Sequence, residues 1–255
     1  MRGHAGEPEH VLVISTVGAR ERRLLRGRRA RPAGPDPAPV ATCRVTLVGA
    51  RPFNGHADAE RWLRAAGEAE ASDAVVVLNR VLHLQRVAGA EPELREVRRD
   101  QALVARVGYG EGEQVADGRW LRAVELLAPR GRPRREAALR PQERLAALLG
   151  GRDAALACEE LTLRARQDLD GGRRREGALQ LAVALDAALA ELEPWSSRGD
   201  LAARIAELRE LQPGVTAAAE AALQGAVDDE AQAAVQRALE RLEAALRART
   251  ALGFD

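Results

Sequence analysis

Four histidines, two cysteines and one pair of adjacent glutamates are the residues in this 255-residue chain whose types and spacing could do chemistry. Histidine titrates closest to neutral pH and is the usual proton carrier. His83 stands four residues after Asn79 on one face of an apolar stretch, so the two polar groups could line a pocket. No second histidine or carboxylate lies nearby in sequence to complete a site, and a hydrogen-bonded or surface histidine is the competing reading. His4, His10 and His56 are scattered, without the spacings that hold a metal ion. Cys43 and Cys158 are too few and too far apart for a disulfide framework or a thiolate metal site, which fits a reducing cytoplasm. Cys158 falls on an apolar stripe and reads as a small core residue. Glu159 and Glu160 suggest paired acid/base carboxylates, yet Glu160 has Arg164 four residues on, the spacing of an ordinary surface ion pair. With only four serines and no nucleophile elbow, serine hydrolase chemistry has no support.

Two local patterns could meet an anion. Gly108-Tyr109-Gly110-Glu111-Gly112, with Asp117, Gly118 and Trp120 behind it, alternates glycines as phosphate-cradling loops do. Its predecessor reads as helix, the chain holds no lysine, and Glu111 and Glu113 repel phosphate, so a structured turn is the expected role. The second pattern is RERRLLRGRRAR at residues 20–31, with seven arginines. Arg22, Arg23, Arg28 and Arg29 are its candidate polyanion-binding residues, contacting nucleic acid in a salt-sensitive, sequence-blind manner. Every basic residue of the 39 is arginine, the mark of a GC-rich genome, and no aromatics interleave the run. Both facts weaken the nucleic-acid reading.

The elements that must position these residues follow from composition and periodicity. Hydrophobic residues make up 46% of the chain and aromatics 2%, so the core is built from Ala, Leu and Val, a mixture suited to close helix packing. The net charge of +1 conceals an asymmetry, because residues 1–142 hold 25 Arg against 18 acids and residues 143–255 hold 14 against 20. The resulting +7 and −6 fit either a polyanion-facing first half or two halves that attract each other.

In the first half, residues 11–17 and 43–53 read as strands, separated by a Pro- and Arg-rich loop at about 26–42. Asn54 is a plausible N-cap for a helix with Ala59, Trp62, Leu63 and Ala66 on one face, closed by Gly67. A second, largely buried helix is expected from Ser72 to Gly89, and a third from after Pro92 to about Val107. The strip 128–141, rich in Arg and Pro, is the expected linker.

The second half reads as successive helices. Leu145, Leu148 and Leu149 mark the first, and a second over 153–169 carries Ala154, Ala157, Cys158, Leu161, Ala165 and Leu169 on one face. A third runs from Arg174 to Glu193. Ser197 and Asp200 suggest a capping box before the next, and Pro213 is expected to separate it from a shorter helix ending near Gly225. Asp228 opens the last helix, whose Val235, Leu239, Leu242 and Leu246 recur at coiled-coil spacing. That stripe is a candidate interface with a partner or a second copy, and intramolecular packing is the alternative.

The stretches QALVARVGYGEGEQVADGRWLRA (101–123) and RPQERLAALLGGRDAALACEELTLRARQDLD (140–170) resemble an uncharacterised conserved protein family of GC-rich actinobacteria. The resemblance implies a bacterial cytoplasmic protein and supplies no activity and no functional residues. The segment Leu161 to Leu189 is also similar to a single tetratricopeptide unit, with Ala165, Gly177 and Ala184 near its tight-packing positions, but no second copy follows at the 34-residue period.

The expected fold class is mainly α, with a small α+β N-terminal domain (1–127), a linker (128–141) and a helical bundle or helical-hairpin domain (142–255). No catalytic, cofactor or metal residue is named by the sequence, and no apolar run reaches the roughly 20 residues that span a bilayer. The functional expectation is a non-enzymatic cytoplasmic adaptor or regulatory protein that uses a helical domain to meet a protein partner or itself. The alternative is an accessory nucleic-acid binder using the Arg-rich half.

Overall fold

The computed structural model describes residues 9–17, 42–127 and 141–252. The fold is mainly α, with strands confined to the N-terminal half among the described residues, and the chain forms two compact units, Met1–Arg130 and Gly131–Asp255.

In the first unit, β1 (His10–Val17) pairs antiparallel with β2 (Thr42–Gly49), Ile14 facing Val45. Helix α1 (His56–Ala65) follows, with Gly55 rather than Asn54 as its N-cap. The Asn54 N–H instead donates to the Asp58 carboxylate at 3.2 Å. Ala59 and Leu63 are buried and Trp62 and Ala66 pack beside them, as the stripe requires. Helix α2 (Glu68–Gly89) begins earlier than expected, because the Glu70 carboxylate turns back to accept the Gly67 N–H at 2.6 Å. Its last turn ends in Ala90, a non-glycine residue with φ 51°.

Residues 93–107 are not a helix. The segment is irregular up to a single 3-10 turn (Arg99–Gln101) and then becomes β3 (Ala105–Tyr109), paired antiparallel with β4 (Arg122–Leu126). Two forces override the helical spacing. The Asn79 side chain engages both backbone groups of Val97, and Val107 and Tyr109 alternate into the core as strand residues do. Gly108 lies between them because a β-carbon there would sit 2.5 Å from the Arg122 carbonyl oxygen on the paired strand.

The second unit contains α3 (Pro141–Leu149), α4 (Ala157–Asp170), α5 (Arg174–Glu191), α6 (Leu201–Leu223) and α7 (Asp229–Ala251). Helix α5 is central and touches α4, α6 and α7. Its buried face is Gly177, Ala178, Leu181, Ala184, Leu185 and Ala188, where small residues let neighbouring helices approach and leucines fill the space between. Gly177 lies against Leu169 of α4 so closely that a β-carbon would stand 2.5 Å from the Leu169 Cδ2 atom.

The break expected at Pro213 does not occur, since α6 runs through it. An interior proline costs about 3 kcal/mol. Pro213 is exposed, while Ile205 and Leu208 before it and Val215 after it are buried on one face. Each of those side chains returns about 1.5–3 kcal/mol on burial, so a continuous helix wins. The capping box also fails to form, because the Asp200 carboxylate accepts from Arg204 Nε at 2.9 Å instead of from the backbone. Asp228 does cap α7, accepting the Ala231 N–H at 2.8 Å. In α3 the leucine stripe is not the buried face, since Leu145 and Leu149 are exposed and Ala147 is buried.

Candidate functional site

Among the described residues, three groupings bring reactive or adhesive residues together, one in the second unit and two in the first.

In the second unit an ionic cluster joins the start of α4 to the end of α7. Arg249 and Asp153, 6% and 5% exposed, form a bidentate pair with contacts of 2.5 and 3.3 Å. Arg144 donates to both oxygens of Glu159 at 2.5 and 2.7 Å and lies 3.4 Å from Asp153, closing the four charges into one network. The Trp195 ring covers Arg249, 4.9 Å from the guanidinium carbon to the ring centre. Glu159 also accepts the Leu156 N–H at 3.0 Å. Glu191, reaching from the end of α5, accepts the Ala157 and Cys158 N–H groups at 3.1 and 2.9 Å and neutralises the first turn of α4.

These contacts decide what the cluster can do. Burial alone would raise the Asp153 carboxyl, but Arg249, the Ala154 N–H and Arg144 outweigh it and hold the pKa below the ordinary value. Glu191 is likewise held low, the backbone N–H of Cys158 foremost among the groups that outweigh its burial. Burial and the neighbouring Glu191 push the Cys158 thiol far up, so Cys158 stays protonated and is no nucleophile. Two cations and two carboxylates satisfy one another, and the cluster clamps the 141–159 segment to the last turns of α7. Nothing local in the sequence announced it, because its members are distributed from Arg144 to Arg249. Of the expected glutamate pair, Glu160 does bond Arg164 at the surface, whereas Glu159 is half-buried in the clamp.

In the first unit Tyr109, His56 and Glu60 form a chain. The Tyr109 hydroxyl lies 3.3 Å from His56 Nδ1, and His56 Nε2 lies 3.4 Å from Glu60 Oε1. A hydroxyl, an imidazole and a carboxylate in this order resemble a proton relay. The Glu60 carboxylate is shared with Arg122 at 3.5 Å and Arg64 at 3.9 Å, and Tyr109 is 6% exposed beneath Phe53 and His56. His56 and Glu60 therefore lie over the small core of Ala59, Leu63, Val107 and Tyr109, the Tyr109 hydroxyl meeting the exposed His56 ring.

The third grouping is the outward face of α2. The inward face carries Ala71, Val75, Leu78 and Leu82, of which only Ala71 is buried. This corrects the expectation of a largely buried helix. On the other side, Asp73, Val76, Arg80, Leu84 and Val87 follow one another at three, four, four and three residues and are all exposed. Val76, Leu84 and Val87 are 58%, 55% and 66% exposed, so the helix has an uncovered apolar seam as well as a covered one.

The residues singled out from sequence fare differently. Arg22, Arg23, Arg28 and Arg29 lie outside the described residues. Val235, Leu239 and Leu242 are fully buried and Leu246 packs against the same core, so the stripe faces the interior of its own unit. Asn79 is engaged by Val97 and does not pair with His83. The 108–112 glycines end β3 and open a turn, preceded by strand and not helix, and the Trp120 indole N–H donates to the Val115 carbonyl at 3.2 Å across that turn. Among the described residues no group of His, Cys, Asp and Glu could hold a metal ion, and no helix is long and apolar enough to cross a membrane. Comparison of the chain with family models, curated proteins and solved structures finds no match.

Proposed function

We propose that the chain is a protein-interaction protein of adaptor or regulatory type, with the outward seam of α2 as its contact surface. The observation that carries this reading is the exposure of Val76, Leu84 and Val87 on one seam of a 22-residue helix. An apolar seam rimmed by charge is a common mark of a surface that another chain covers. The interaction role thus moves from the C-terminal helices, whose stripes are consumed by their own core, to the first unit.

The test is affinity capture and light scattering with the full chain and a Val76→Asp/Leu84→Asp variant. Both positions are exposed, so the variant keeps its fold, with a change within about 0.5 kcal/mol. The wild type is expected to hold a protein partner or a second copy, and the variant to lose it. Identical behaviour of the two chains, or a wild type that holds neither, overturns the reading.

A further inference from the structure

The charges on α2 select a partner. Its first half carries Glu68, Glu70 and Asp73 with no base, and its second half carries Arg80 and Arg86 with no acid. Asp73 and Arg80 both lie on the exposed seam, and among the described residues neither forms an ion pair. A helix acidic at one end and basic at the other complements an antiparallel copy of itself, since a twofold axis sets each half against the opposite half. We propose that α2 pairs antiparallel with α2 of a second copy of this chain, a reading that rests on the interaction surface above and names its occupant.

The spacing of the seam fixes a register. With the axis passing between Val76 and Val77, Asp73 faces Arg80 of the second copy and Ala69 faces Leu84 of the second copy. The Asp73–Arg80 pair then occurs twice, once on each side of the axis. The small Ala69 receives the large Leu84, and the valines meet at the centre. Steps of three and four residues along the seam are those that let two helices interdigitate over several turns. A parallel arrangement would instead set Asp73 beside Asp73 and Arg80 beside Arg80, which like-charge repulsion disfavours.

The experiment measures the mass of the full chain against concentration by sedimentation equilibrium, with circular dichroism on every variant. The wild type is expected to reach twice the chain mass, and Val76→Asp/Leu84→Asp to remain monomeric. Asp73→Arg and Arg80→Asp each turn two attractions into two repulsions and are expected to weaken the dimer about tenfold, as several exposed ion-pair energies combine. The double variant Asp73→Arg/Arg80→Asp exchanges the charges and is expected to recover wild-type affinity. A dimer that ignores the seam variants, or single reversals that the double variant does not rescue, overturns the proposal. A monomeric wild type that still captures a different protein through the seam overturns it while leaving the interaction reading standing. A monomer that captures nothing overturns both.

Discussion

Helices α2 and α7 are nearly equal in length, 22 and 23 residues, and both are rich in aliphatic side chains, yet α2 buries Ala71 alone while α7 buries seven residues. Composition does not explain the contrast, since α2 holds more valine. Distribution does. The apolar residues of α7 fall on one stripe, and α4, α5 and α6 supply faces to receive it. Those of α2 fall on two faces, while the strand it packs against, β3, belongs to a sheet of only two strands. A two-stranded sheet covers one side of a helix and leaves the other to solvent or to another chain.

The largest expected effect sharpens this contrast at the buried end of α7. Arg249→Ala removes the partner of Asp153 and the cation beneath Trp195 and leaves a buried carboxylate poorly compensated, which typically costs about 3–5 kcal/mol. Arg80→Ala on the exposed seam of α2 is expected to change the stability of the monomer by less than about 0.5 kcal/mol. Urea melts of both variants decide it, and equal losses would break the comparison. The clamp also has a pH signature. Because Asp153 and Glu191 have folded-state values below their ordinary ones, their contribution is fully present above the unfolded value near 4. It is lost as pH falls through the folded values. Melts between neutral pH and pH about 2 are expected to show the wild type losing stability in that acid range, and Arg249→Ala losing less there.

A smaller effect separates two glycines that both mark close approach. Alanine at Gly108 would press on the Arg122 carbonyl, the Trp120 ring and Ala123, two of them on the paired strand, so β3 and β4 must part. Overpacking of this kind costs about 1–3 kcal/mol. Alanine at Gly177 presses on the Leu169 side chain, which can move, and it regains up to about 1 kcal/mol of helix propensity. Gly108→Ala is therefore expected to cost more than Gly177→Ala in thermal melts, and the reverse order would show that the helix interface is the more rigid of the two.

The legible parts of this fold are those that local sequence decides. The α1 stripe, the strand character of 11–17 and of 43–53 as far as Gly49, and the Asp228 cap need only neighbours within a few residues. The misread parts depend on what lies across space. Residues 93–107 have helical spacing, but Asn79, 18 residues before Val97, holds that backbone extended. Pro213 reads as a breaker until the burial on both sides of it is counted. The α2 valines read as core because periodicity reports which residues share a face and not whether anything covers it. The clamp was illegible for the same reason, since Arg144, Asp153, Glu159 and Arg249 come together only once α4 and α7 have docked.

The smallest effect concerns what holds the inner side of α2 in place of a large core. The Asn79 amide donates to the Val97 carbonyl and its oxygen accepts the Val97 N–H, both at 2.9 Å, so one side chain imitates the backbone pairing of a neighbouring strand. Asn79→Ala deprives both backbone groups of their partner. The site is half-buried, so water replaces part of the loss and the expected cost is about 1 kcal/mol, the lower end for an orphaned polar group. Asn79→Asp keeps the acceptor for the Val97 N–H but sets a carboxylate oxygen against the Val97 carbonyl, so it loses one bond and adds a repulsion. Hydrogen exchange distinguishes the two variants where total stability does not. The Val97 amide is expected to stay protected in Asn79→Asp and to exchange faster in Asn79→Ala. If exchange at Val97 is the same in both variants and in the wild type, the clip does not order residues 93–104, and α2 is held on that side by the apolar contacts of its inward face instead.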